Sequence, residues 1–146
     1  MMCAEVNFCL DYIKTKGISV MKVNPGENPV FRYLVLNPEK NLTYFDRQLK
    51  LDKTFLNLKN FVSLDLGQGH EVYKEQQKEF LKPVKHLSFT LKFQDFHGPE
   101  YFHHFVSITE REFDITLCLI KGLVMHHLDK TCTKNFLMNH SRIYRI

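Results

Sequence analysis

Tryptophan is absent from this 146-residue chain, and glycine (6), proline (5) and cysteine (4) are sparse. Without Trp, aromatic packing must rest on the 13 Phe and 6 Tyr. So little Gly and Pro excludes collagen-like and low-complexity composition. Cys3, Cys9, Cys118 and Cys132 have no metal-ligand spacing, which argues against both a zinc module and a disulfide scaffold. Cys118 falls in an apolar segment and is expected to pack as a small hydrophobe. Cys3 and Cys9 are read as free thiols in a reducing compartment, with acylation or redox pairing as the alternative. No run approaches the roughly 20 apolar residues of a membrane span. Acidic Glu5 and Asp11 interrupt any signal-peptide pattern, and Met2 stands where N-myristoylation requires Gly. The expected compartment is the cytoplasm, where the sequons at Asn41 and Asn139 carry no meaning. Strong charge of one sign is also missing. A net +4 suits an anionic partner but falls short of a dedicated nucleic-acid binder.

What is present is clearest in the last third. Leu87, Phe89, Leu91 and Phe93 alternate with Ser88, Thr90 and Lys92, the two-residue period of a half-buried strand. A turn at His97, Gly98 and Pro99 leads to a second strand, Tyr101 to Val106. Thr109 and Glu112 then stand in capping-box spacing, with Ile108 and Phe113 placed for a hydrophobic staple. Phe113, Leu117, Ile120 and Val124 recur at helical spacing beyond the cap.

Upstream, residues 1–16 read as an N-terminal extension with a short helix through Val6 to Ile13. Gly17 opens a strand with Ile18, Val20 and Lys22 on one face and Ser19, Met21 and Val23 on the other. Breakers at 24–29 precede strands Phe31 to Leu36 and Leu42 to Phe45, and a further strand runs from Phe61 to Leu66. Residues 47–60 interleave Arg47, Lys50, Lys53 and Lys59 with Leu49, Leu51, Phe55 and Leu58. Residues 70–86 read as a long charged loop with a helical turn, and 129–146 as a tail. Short connections favour an antiparallel meander.

Enzyme signatures are missing: no nucleophile elbow, phosphate loop, zinc-protease helix or paired carboxylates, and Gly67 to Gly69 is too short for a nucleotide fingerprint. No catalytic residue, metal ligand or cofactor is assigned. The pairs His103–His104 and His126–His127 cannot chelate one ion, because neighbours diverge on a strand and on a helix, so solvated or capping imidazoles are expected. The aromatic residues follow the apolar pattern without a basic stripe, which argues against nucleic acid.

The order and spacing of these segments resemble the pleckstrin-homology (PH) domain, in the version found in phospholipase C and its inactive relatives. The resemblance spans roughly residues 17–128. It is carried by Gly17 to Val23, Arg32 to Leu36, Phe61 to Gly67 (similar to the family's fourth strand), Phe89 to Asp95, and Lys121, Gly122 and Leu123 in the closing helix. Leu119 stands where the family usually has Trp. The engulfment-adaptor version of the domain is a second similar relative.

This resemblance implies a non-enzymatic module that binds anionic phosphoinositide lipid through its first strand loops. Lys22 and Arg32 match two of the family's head-group cations; Val30 and Asn24 stand at two others, and the loop carries Glu27. Arg47 and Lys50, past the third strand, are the compensating lipid-binding candidates. The expected fold is mainly β with one C-terminal α-helix: a PH-like bent antiparallel sandwich or barrel of about seven strands, capped by a helix over 110–128. Expected partners are anionic membrane lipid, bound peripherally, or a signalling protein that uses the helix groove or a strand edge.

Overall fold

A computed structural model describes residues 4–37, 41–76 and 78–128. Helix α1 (Ala4–Thr15) leads into strands β1 (Ile18–Val23), β2 (Val30–Leu36), β3 (Asn41–Phe45) and β4 (Leu51–Asn57). A 3-10 turn (Leu58–Asn60) precedes β5 (Phe61–Leu66). Helices α2 (Glu71–Glu75) and α3 (Lys78–Leu81) and a 3-10 segment (Lys82–Leu87) follow. The chain ends its described course in β6 (Ser88–Gln94), β7 (Glu100–Ser107) and α4 (Glu110–Leu128).

All seven strands form one antiparallel sheet in the order β4-β3-β2-β1-β7-β6-β5. Strand β1 is central, pairing with β2 on one side and β7 on the other. Among the described residues the sheet does not close, and β4 and β5 are its two edges. This is the expected mainly β architecture with its C-terminal helix, consistent with a PH-like fold.

The two-residue period places Ile18, Val20, Leu34, Leu42, Tyr44, Leu64, Phe89, Leu91 and Phe105 on the inner face, all buried. Phe89 packs on Phe105 and on Phe113 of α4 at centroid distances of 5.4 and 6.1 Å, so the helix enters the core the strands leave open. Leu119 is 1% exposed and fills the same core.

Helix α1 belongs to this core. Cys9, Leu10 and Ile13 are buried and α1 packs against α4, so the segment read as an extension is docked, and the Cys9 thiol is shielded from modification. Cys3, Cys132 and the tail 129–146 lie outside the described residues. The joint between α1 and β1 needs glycine. Gly17 has φ +71°, and a Cβ there would stand 3.0 Å from Leu34 O and Val35 Cγ2.

Three expectations change. Residues 51–57, read within a polar basic stretch, form edge strand β4, so Phe61–Leu66 is the fifth strand and not the fourth. The stretch 70–86 is two short helices and a 3-10 segment, held by burial of Val72, Tyr73 and Leu81. The α4 cap is half of a capping box. Glu112 N–H donates to Thr109 Oγ1 (3.1 Å), but the Glu112 carboxylate turns to β1 and α1, accepting Ser19 N–H (3.2 Å) and Tyr12 O–H (3.3 Å). Ile108 stays 45% exposed.

Candidate functional site

Lys22 lies near the end of β1, opposite Val30 on β2 and Phe105 on β7. Directly opposed residues share a face, so Lys22 and Arg32 are diagonal neighbours on the inner side of the β1–β2 ladder. Both are half-buried. The Lys22 ammonium sits 4.6 Å over the Tyr44 ring, and Arg32 Nη1 donates to Phe31 O (2.7 Å). The 24–29 loop beyond them is exposed at Glu27 and is anchored where Gln76 Nε2 donates to Asn24 O (3.1 Å).

Arg47 and Lys50 come from the β3–β4 turn. Asp46 organises it: its Oδ1 accepts the N–H groups of Gln48 and Lys50, both at 2.9 Å. Its backbone O accepts Leu49 N–H and its N–H donates to Lys50 O, each at 3.0 Å. An Asx side chain that replaces backbone partners in this way is a standard means of closing a tight turn. Leu49 at the apex has φ +61°. Arg47 stacks on the Phe31 ring at 4.3 Å. Phe31 pairs with Met21, on the side opposite Lys22 and Arg32. The structure therefore brings Lys22 and Arg32 together, sends Arg47 to the outer face, and leaves Lys50 exposed in the turn.

A cavity of about 440 Å³ opens between β4 and the β6–β7 hairpin, lined by Phe55, Leu56, Phe93, Asp95, Tyr101 and His103. None of the four candidate cations lines it. Its carboxylate, Asp95, accepts from Asn60 Nδ2 (3.1 Å) and Tyr101 O–H (2.8 Å), and the bond to Asp95 raises the Tyr101 pKa. His103 is held neutral: burial first, then the nearby charges of Lys22 and His104, lower its pKa to about 4. An acid and a neutral imidazole make this cavity unsuited to a phosphate.

The opposite face of the β6–β7 hairpin carries a polar cluster that the sequence reading missed. His104 takes the face opposite His103, with Nδ1 2.8 Å from Thr90 Oγ1, and burial followed by the charge of His70 lowers its pKa to about 4. His70 in turn lies 2.9 Å from Asp65. The Tyr73 hydroxyl donates to Phe89 O (2.6 Å), accepts Phe105 N–H (3.1 Å), and is pushed by burial to a pKa of about 12. A lone Tyr in a charged stretch offered no signal for this; its strand partners lie 16 and 32 residues away. Among the described residues, no group of three or more His, Cys, Asp or Glu could hold a metal ion, and no helix is long and apolar enough to cross a membrane. The His126 and His127 side chains lie outside the described residues.

No family model and no curated protein matches the chain. Solved structures do. PLC21 of L. pealei superposes with a TM-score of 0.56 at 14% identity, over 76% of this chain and 16% of that one. PLC21 of S. officinalis gives 0.54 at 15% identity, over 78% and 15%. The chain thus spans about a sixth of the length of these phospholipase C chains. At such identity the likeness is one of fold: an open seven-stranded antiparallel sheet closed at one end by a C-terminal helix.

Proposed function

We propose that this chain is a non-enzymatic targeting module that attaches peripherally to membranes rich in anionic phosphoinositide. The observation that carries this reading is the diagonal placement of Lys22 and Arg32 on one face of β1–β2, beside the 24–29 loop. Two cations on one face can share a multiply charged head group, and Arg47 and Lys50 add attraction from the next turn. Each basic residue within a Debye length of an anionic surface contributes about 1 kcal/mol. The fold likeness to phospholipase C chains supports the reading as analogy.

Vesicle co-sedimentation across phosphoinositides, phosphatidic acid and phosphatidylserine, at low and physiological salt, tests it. The expected result is binding that favours phosphoinositide and drops in the Lys22→Ala/Arg32→Ala variant. Binding that ignores the double substitution removes the β1–β2 site.

A second reading, a protein-interaction adaptor in signalling, rests on the open edge of the sheet. Among the described residues strand β4 is an edge of the sheet, and its Leu51 and Phe55 are exposed, the arrangement that accepts an added peptide strand. Failure to bind any vesicle, with retained binding of a peptide partner that shifts β4 resonances, would select it.

A further inference from the structure

Leu49, at the apex of the β3–β4 turn, and Leu51, the first residue of β4, are 69% and 62% exposed, two large apolar side chains two residues apart. Single exposed leucines are ordinary on protein surfaces. This pair is set apart by three further features. Lys50 stands between the leucines and Arg47 two residues before Leu49, both exposed, so the tip is apolar and cationic together. Asp46, the acid of the turn, directs Oδ1 inward to two backbone amides.

The third feature is the backbone. The N–H groups of Gln48, Leu49 and Lys50 are all donated to Asp46 within the turn, so these three apex amides keep their partner when the tip leaves water. Leu49 holds φ +61°, a conformation that costs a leucine energy and that Gly or Asn would adopt more readily. The exposed leucine side chain is suited to an apolar medium, and its strained backbone marks a position held by something other than stability in water.

We propose that the β3–β4 turn is a bilayer-inserting tip. Leu49 and Leu51 enter the boundary between head groups and acyl chains of an anionic membrane, while Arg47 and Lys50 meet lipid phosphates beside them. This rests on the membrane-targeting reading above and adds the element that penetrates. Arg47, stacked on Phe31, keeps its guanidinium on the outer face, so the tip can approach phosphate there independently of Lys22 and Arg32.

The absence of Trp makes the test direct. Leu49→Trp and Leu51→Trp each place a single indole at the tip, and Phe80→Trp places one on α3 at a side chain already 53% exposed. With vesicles of roughly four parts phosphatidylcholine to one part phosphatidylserine, both tip indoles should shift to the blue and be quenched by bromine-labelled acyl chains, and the α3 indole should not. Leu49→Asn, which relieves the backbone conformation and removes the apolar group, should weaken vesicle partition roughly tenfold without lowering the melting temperature. Co-sedimentation with both tip indoles still in water overturns insertion and leaves membrane targeting standing. Absence of co-sedimentation with these or phosphoinositide vesicles overturns both.

Discussion

The carboxylate of Glu112, in the first turn of α4, accepts the backbone N–H of Ser19 on β1 at 3.2 Å, across 93 residues of chain. Its other oxygen accepts Tyr12 O–H from α1. One side chain thus joins both helices to the central strand. Glu112→Ala should cost about 1–3 kcal/mol, because it strands partly buried donors on β1 and α1. Glu112→Gln retains a carbonyl acceptor and should cost less. Urea midpoints of the two variants check this, and equal losses would dismiss the acceptor role.

Tyr73 ties the 70–87 segment to the β6–β7 hairpin through the backbone of paired residues Phe89 and Phe105. Tyr73→Phe keeps the ring but leaves Phe105 N–H and Phe89 O short of a partner at a buried site. A loss of about 1–3 kcal/mol is expected, with faster amide exchange at Phe105. Unchanged exchange there would contradict the assignment of this hydroxyl.

His103 and His104 both have folded pKa values lowered to about 4, against an ordinary 6.5. Between those values the unfolded chain binds more protons, so stability is fully present above about pH 6.5 and is lost as pH falls toward 4. The unfolding free energy should decline across that window, and a His103→Gln/His104→Gln variant should show a flatter profile. Denaturation series from pH 7 to pH 4 supply the slopes; identical slopes would remove both imidazoles as its source.

Gly17→Ala meets two obstacles, a left-handed φ and a Cβ 3.0 Å from the β2 backbone and Val35. It should destabilise by at least about 1–2 kcal/mol. Thermal melts measure it, and a neutral result would mean that the joint between α1 and β1 gives way at little cost.

Much of the fold could be read because its signals are local. The alternation from Leu87 to Phe93 became β6, displaced by one residue at each end, and the capped apolar repeat became α4 over Glu110–Leu128. Strand β4 escaped because an edge strand with exposed Leu51 and Phe55 has no clean inside–outside alternation. Helices α2 and α3 escaped because pieces of five and four residues are not stable alone and exist through the docking of Val72, Tyr73 and Leu81.

The sequence by itself determined the periodicities, the cap at Thr109, the glycine at position 17 and the candidate cations. Those depend on neighbours in the chain, whose preferences act over a few residues. Only the tertiary structure decided that Lys22 and Arg32 share a face, that Arg47 crosses to the other side onto Phe31, and that Glu112 abandons its own cap for Ser19. Strand register and helix docking set these outcomes, and both depend on contacts between residues far apart in the chain, which no local pattern encodes.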